Sequence, residues 1–269
     1  MEHFRTFIYG ALIGIANAIP GVSGGTMAVI LNIYHKILFA FSLKNIKAHL
    51  AFLIPLGVGA LVGIFLLSNV IVSLMQSYPM VLNFCFIGLV LGSVPSIYKR
   101  AQDQKIKWRN LVLGLASLAL MILLSQLGDG GIVNKSLAEM GGLDFTLWLW
   151  IFFAVLVSAV SMILPGISGS LVMLLFGVYT LVMEAISNFY FPLLLPIGLG
   201  ALTGLFLGIK VIKKMLRFHP QALYFIILGL VVGSVFTIYP GFTPTLEGFI
   251  SLTGMTLFGA LAFFLCSRN

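Results

Sequence analysis

Charged residues are scarce in this chain. Of its 269 residues only 8% are Asp, Glu, Lys or Arg, whereas 60% are hydrophobic. A soluble domain carries about 25% charged residues and about half apolar ones. Lipid must therefore act as the solvent for much of the surface, and the sequence offers several mostly apolar runs of about 20 residues, the length that crosses a bilayer. We expect one all-α polytopic membrane protein without an appended soluble domain.

Cysteine and the usual catalytic and metal-binding motifs are also rare or lacking. The two cysteines, Cys85 and Cys266, lie inside apolar runs, so we expect small apolar residues rather than a disulfide or a metal site. The four histidines show no metal-ligand spacing, and we expect them near loop ends, in contact with water or head groups. There is no His-Glu-x-x-His and no phosphatase-like acidic cluster. The sequence therefore predicts neither an enzyme nor a metal or other cofactor.

The net charge of +8 could suggest nucleic acid as a partner, but its distribution argues against that. With a cytoplasmic N-terminus, every one of the 15 Lys and Arg residues except Lys135 falls on the cytoplasmic side, as the positive-inside rule requires. We therefore expect a protein of the cell (cytoplasmic) membrane. A helical basic cluster is expected to set topology and to contact anionic membrane lipids, with docking of one such lipid as the alternative. It consists of Lys210, Lys213, Lys214 and Arg217.

The second half of the sequence repeats the first. Residues 19–25 (Ile-Pro-Gly-Val-Ser-Gly-Gly) return as residues 164–170 (Leu-Pro-Gly-Ile-Ser-Gly-Ser), and residues 88–98 return as 229–239. Apolar composition alone would not align so many Pro, Gly, Ser and Tyr positions in order. We predict a first repeat over 1–127, an extracytoplasmic linker over 128–144 and a second repeat over 145–269.

Each repeat begins with a broken apolar stretch, over 7–41 and 145–187, and continues with three spans. Pro and Gly interrupt both stretches near the middle, where they break helices. We expect re-entrant helical hairpins, because non-helical backbone at that depth must be buried in protein or line a wet cavity. Two ordinary spans per stretch is the alternative, favoured more for 145–187. The predicted spans are 50–75, 79–98, 110–127, 191–209, 221–239 and 248–265.

An odd number of spans per repeat gives the second repeat the inverted orientation. Inverted-topology repeats are typical of secondary transporters, whose sites lie at the repeat interface near the bilayer midplane. No Asp, Glu, Lys or Arg falls in the core of a predicted span, so a carboxylate proton relay is not expected.

The two Pro-Gly-x-Ser-Gly turns form the predicted substrate site. A helix that starts after such a turn presents free backbone N–H groups and the positive end of its dipole, which bind anions such as phosphate. Hydroxyl groups add donors, and Asn17 is expected either to donate to a ligand or to cap freed backbone groups. The candidate residues are Asn17, Pro20, Gly21, Ser23, Gly24, Gly25, Thr26, Pro165, Gly166, Ser168, Gly169 and Ser170.

Close helix packing is the alternative role for small residues in a membrane protein. We assign that role to the glycines of the unbroken spans, and it remains the alternative for the two turns. The packing glycines are Gly57, Gly59, Gly63, Gly88, Gly92 and their counterparts in the second repeat.

At these turns the chain resembles a bacterial and archaeal family of polyprenyl-phosphate (undecaprenyl-phosphate) transporters, formerly a domain of unknown function. Residues 17–26 and 162–170 carry the resemblance, which extends over almost the whole chain. It implies a flippase that returns the lipid carrier of cell-wall precursors from the outer to the inner leaflet. The alternatives are a transporter or channel for a small ion and, less favoured because catalytic groups are missing, an enzyme acting on lipid phosphates.

A coupling ion is also expected. Inward movement of a phosphate anion opposes an inside-negative potential, at about 2.3 kcal/mol per charge per 100 mV. Since no buried carboxylate is in view, we expect H⁺ carried by the substrate itself or Na⁺ held by hairpin carbonyls.

Overall fold

The computed structural model describes residues 2–18, 23–41, 47–102, 106–128 and 144–267. Over these residues the chain is helical, with one short 3₁₀ segment and one π segment, and it has no strand. Nearly all of the predicted linker lies outside the described residues, as do Pro20 and Gly21 of the predicted site.

Thirteen α-helices occur among the described residues. They are α1 Glu2–Ala18, α2 Gly24–Ile30, α3 Tyr34–Ala40, α4 Leu50–Val62, α5 Ser68–Ser77, α6 Pro79–Ala101, α7 Trp108–Gly128, α8 Phe145–Ile163, α9 Gly169–Leu175, α10 Tyr179–Ser187, α11 Phe191–Phe218, α12 Pro220–Ile238 and α13 Leu246–Ser267. The π segment, Gly63–Leu67, joins α4 to α5.

Seven helical segments of the described chain are long and apolar enough to cross a membrane. Their outer faces carry large apolar side chains such as Leu202 and Leu257, which are 69% and 64% exposed. The predicted all-α membrane protein is thus confirmed. Two spans differ most from their predicted bounds, because the first runs over Lys47–Phe65 rather than 50–75 and α11 continues past residue 209 to Phe218. The basic cluster therefore lies on a helix, and His219 alone separates α11 from α12.

The first broken stretch returns the chain to the end of the bundle at which it began. His3 Nδ1 lies 3.0 Å from Ala51 O, and a Cβ on Gly59 would lie 2.1 Å from Phe7 O. One on Gly63 would lie 2.2 Å from the carbonyl oxygen of Ala11. These contacts advance together along both helices, so α1 and α4 run parallel. Helices α2 and α3 must therefore lead the chain back.

The second half has the same arrangement. A Cβ on Gly200 would lie 2.6 Å from Phe152 O and one on Gly204 2.3 Å from Leu156 O, so α8 and α11 also run parallel. Between them α9 and α10 meet at an angle of 115°. Gly177 occupies that bend with a φ of 69°.

The two halves interlock through their later helices. Helix α6 packs along α13, where Gly88 and Gly92 face the carbonyl groups of Met255 and Gly259, and α7 packs along α12. Helix α6 and its sequence counterpart α12 are antiparallel. The Gln221 side chain donates a hydrogen bond to Ala101 O at 3.2 Å at one end of the pair, and the rings of Phe84 and Tyr239 are 6.0 Å apart at the other.

Close packing explains most of the span glycines but not all of them. At Gly59, Gly63, Gly88 and Gly92 an added Cβ would lie 2.1 or 2.2 Å from a backbone oxygen of a neighbouring helix. At Gly57 and at its counterpart Gly198 an added Cβ would meet no atom within 4 Å. The packing interpretation is therefore wrong at those two positions, which face away from the partner helix.

Basic residues gather at the end of the bundle where α1 begins. Lys36 on α3 forms an ion pair with Glu2 at 3.3 Å, and Arg100 at the end of α6 donates to Asn32 Oδ1. Lys213 near the end of α11 lies 5.7 Å from the centre of the Phe39 ring. The start of α1, the whole of α3 and the ends of α6 and α11 therefore share one end of the molecule.

Candidate functional site

The two Pro-Gly-x-Ser-Gly turns, one from each half, lie side by side. Thr26 Oγ1 accepts a hydrogen bond from Gly166 N at 2.9 Å. A Cβ on Gly25 would lie 3.4 Å from Pro165 Cα. The Tyr34 hydroxyl donates to Ile163 O at 3.0 Å and adds a second link between the halves. The fold therefore brings the two motifs together, as the sequence repeat predicts for a shared site.

At the first turn, side chains already occupy the backbone donors. Ser23 is the N-cap of α2, and its hydroxyl accepts from Gly25 N at 3.2 Å. Asn17 Oδ1 accepts from Gly24 N at 3.0 Å, so this side chain caps backbone as one of its two predicted roles requires. Ser23 and Thr26 are buried. The backbone N–H groups of Gly24 and Gly25 are thus already hydrogen-bonded to side chains of α1 and of the turn itself.

At the second turn the backbone donors are not capped in the same way. No side chain of the described residues caps α9 at Ser168. Instead Ser168 Oγ pairs with Ser170 Oγ at 2.7 Å, and both side chains are half-buried. The Ser158 hydroxyl on α8 donates to Gly169 O at 2.6 Å and so connects the start of α9 to α8. Among the described residues the start of α9 therefore has no side-chain cap, and the hydroxyl that accepts within the serine pair keeps its own hydrogen as a donor.

Gly166 fits its position only because it lacks a side chain. Its φ is 97°, a left-handed value that favours glycine. A Cβ there would also lie 2.5 Å from Leu230 C and 2.8 Å from Val231 N, in the backbone at the middle of α12. The backbone of the second turn thus packs closely against α12.

An apolar cleft of about 240 Å³ ends at the first turn. Asn17, Gly24 and Gly25 line it on the side of the first turn, and Met162 and Ile163 line it from the end of α8. Apolar side chains of α1, α11 and the segment from α3 to its C-cap form much of the wall: Ile13, Ile37, Leu38, Phe41, Leu205 and Ile209. Residues of both halves line the cleft, and its wall is apolar except where the first turn contributes to it.

A polar cluster next to the site was missed by the sequence reasoning. His35 was expected near a loop end, in contact with water or head groups; it does lie in the first turn of α3, but it is not fully solvated. The side chain is half-buried, and its Nε2 lies 2.5 Å from the Tyr224 hydroxyl. Arg100 and Asn32 complete the cluster through their hydrogen bond. These residues come from α3, α6 and α12 and from the break before α3, so no local sequence pattern joins them.

Ser23 lies in a Gly-x-Ser-x-Gly pattern at residues 21–25, but its surroundings differ from those of the serine in an esterase. In esterases that pattern places an exposed serine on a strand-to-helix turn beside a histidine. Here the Ser23 side chain is 4% exposed and its oxygen caps α2. Among the described residues no histidine is hydrogen-bonded to it, and no cluster of His, Cys, Asp and Glu could hold a metal.

Comparison with known proteins gives a family and two relatives. A family model described as undecaprenyl phosphate translocase-like matches residues 13–256. A polyprenyl-phosphate transporter of Staphylococcus aureus is 33% identical over 265 residues, which cover 94% of this chain and 93% of the relative. A polyprenyl-phosphate transporter of Vibrio cholerae is 29% identical over 256 residues, 89% of this chain and 79% of the relative. No solved structure is significantly similar.

Proposed function

The chain belongs to the undecaprenyl phosphate translocase-like family, and we propose that it moves polyprenyl phosphate across the cytoplasmic membrane. The direction we propose is from the outer to the inner leaflet, so that the lipid carrier of envelope precursors is used again. The names of both relatives support transport of this lipid. A polyprenyl phosphate has an anionic head and a long apolar tail, and both parts must be accommodated.

The contact between the two turns at the end of an apolar cleft is the observation that carries the proposal. The phosphate would lie at the start of α9, on backbone N–H groups and on the hydroxyls of Ser168 and Ser170. The tail would lie in the cleft that ends at Gly25, beside Pro165. Backbone donors can replace part of the hydration of the phosphate without a buried arginine at the turns.

The proposed transport mechanism uses inverted repeats with re-entrant hairpins. The antiparallel course of α6 and α12 supports the inversion, and the parallel pairs α1–α4 and α8–α11 support hairpins that return to their starting side. Such a pair of repeats can expose one central site to each leaflet in turn.

A liposome assay distinguishes this function from its alternatives. We expect the reconstituted chain to move a labelled prenyl phosphate between leaflets, without releasing phosphate and without conducting ions in the absence of lipid substrate. Ion flux without lipid movement would establish the channel alternative, and release of inorganic phosphate would establish an enzyme.

Loss of the two hydroxyls at the second turn should weaken lipid-phosphate binding. We expect the Ser168→Ala, Ser170→Ala double variant to insert normally and to bind prenyl phosphate about 10- to 100-fold more weakly, because a hydrogen bond to a charged group contributes about 1.5–3 kcal/mol. The matched control is Thr253→Ala, Thr256→Ala, whose exposed hydroxyls bond only to their own helix. Equal affinity of the two double variants in nanodiscs would exclude a phosphate at this turn.

Cysteine labelling tests the proposed orientation, in which the basic end of the bundle faces the cytoplasm. We expect Glu247→Cys to react with an impermeant maleimide in intact cells, and Gln102→Cys to react only after permeabilisation. The native Cys85 and Cys266 are buried, so they give a low background. Labelling of Gln102→Cys but not of Glu247→Cys in intact cells would reverse the orientation.

A further inference from the structure

A second cleft opens at the basic end of the bundle. It has a volume of about 440 Å³ and lies between the end of α6 and the end of α13. Lys99 and Arg100 bring positive charge to it, whereas Pro95 and Phe263 give it an apolar wall. Phe263 is 48% exposed on the outer face of α13. The cleft thus combines cationic donors with an apolar side that faces outward.

Arg100 is held in place by a neutral partner. Its guanidinium group is half-buried and donates to Asn32 Oδ1 at the break between α2 and α3. Among the described residues no carboxylate pairs with Lys99 or Arg100, since the one ion pair there joins Lys36 to Glu2. Asp103 lies outside the described residues. The guanidinium fork therefore keeps further N–H groups for an anionic ligand, and its planar shape suits two phosphate oxygens.

Only a few side chains separate this cleft from the paired turns. A small cavity of about 20 Å³ lies behind Arg100, among Asn32, His35 and Tyr224. It shares Arg100 with the basic cleft and Tyr34 with the apolar cleft that ends at the first turn. The three cavities therefore follow one another from the basic end of the molecule to the turns.

We propose that the cleft between α6 and α13 is a second phosphate site, which takes the phosphomonoester head group of the transported lipid at the basic end of the bundle. This inference rests on the proposed function and adds to it the place at which the lipid is received or released. Arg100 provides the bidentate contact and Lys99 a second positive charge. The tail extends past Phe263 towards the surrounding lipid.

Protection of a cysteine in this cleft tests the site directly. Ser267 lines the cleft and is exposed, so Ser267→Cys, with Cys85 and Cys266 changed to alanine, reports on its occupancy. We expect farnesyl phosphate to protect this cysteine from alkylation in the full chain in nanodiscs. Arg100→Gln should raise the protecting concentration about tenfold or more, since a bidentate charged contact is lost, and Lys99→Gln should raise it less.

The controls separate this site from the turns and from the fold. Arg109→Gln, an exposed change in another cleft, should leave protection unchanged, and so should Ser168→Ala, Ser170→Ala. The Lys99 side chain is exposed and only its backbone takes part in a described hydrogen bond, so Lys99→Gln tests the site even if Arg100→Gln unfolds the chain. If farnesyl phosphate still protects the cysteine after both the Lys99 and the Arg100 change, the second site is wrong. That result would leave the proposed binding at the turns intact.

The identity of the ligand is tested in the same assay. Equal protection by inorganic phosphate would mean that the cleft binds free phosphate, and equal protection by phosphatidylglycerol would mean that it binds phosphodiester lipids. Either result would overturn the proposed head-group specificity. No binding of farnesyl phosphate anywhere on the chain would instead refute the proposed function, and the second site with it.

Discussion

Gly166→Ala should sharply lower the amount of folded protein. The φ of 97° costs about 1–3 kcal/mol for a residue with a side chain. The new methyl group would also lie 2.5 Å from Leu230 C, a backbone atom that moves only if α12 moves. Overpacking adds about 1–3 kcal/mol, so the two effects together remove a large part of a typical stability of about 5–15 kcal/mol.

Gly198→Ala is the matched control for this change. It adds the same methyl group to a helix, where no atom lies within 4 Å. Thermal unfolding in detergent and the yield of folded protein compare the two variants. If Gly166→Ala unfolds at the same temperature as Gly198→Ala, the close approach of the second turn to α12 is wrong.

Two alanine substitutions two residues apart on α4 should have opposite effects. Gly59→Ala places a methyl group 2.1 Å from Phe7 O, and since a backbone oxygen cannot rotate away, α1 must shift. We expect a loss of about 1–3 kcal/mol or more. Gly57→Ala meets no atom and should be neutral or stabilising by up to about 1 kcal/mol, because alanine favours a helix more than glycine does.

The effect of Gly59→Ala should extend to the site. Helix α1 carries Asn17, which caps the first turn, so a shifted α1 should also weaken prenyl-phosphate binding in the fraction that remains folded. Thermal unfolding and binding in nanodiscs measure both effects. Equal unfolding temperatures for the Gly57 and Gly59 variants would contradict the parallel packing of α1 on α4.

Local signals in the sequence predicted the helices well. Apolar runs of membrane length gave the main boundaries, and the structure begins α6 and α12 at Pro79 and Pro220. The predicted span ends at residue 209, where hydropathy falls, although the basic cluster that follows was expected to be helical. Lysine, leucine, methionine and arginine are good helix formers, so the helix continues through the basic cluster to Phe218.

Contacts between distant segments could not be predicted in the same way. Gly57 and Gly59 point in different directions on one helix, and which of them meets α1 depends on how the two helices pack. The sequence repeat indicated that the two turns lie together, but the bond from Gly166 N to Thr26 and the cap at Gly24 required the folded structure. Arg100, His35 and Asn32 come together only through tertiary packing.

Two helices of the first half pack along helices of the second half, and this has a consequence for biosynthesis. Helix α6 leaves the ribosome long before α13, along which it packs, and α7 leaves long before α12. Until α13 enters the bilayer, the glycine face of α6 at Gly88 and Gly92 lacks the helix against which it packs. The packing of α6 is therefore completed only once α13 has been made, and a stop codon before α13 removes a partner that the first half needs.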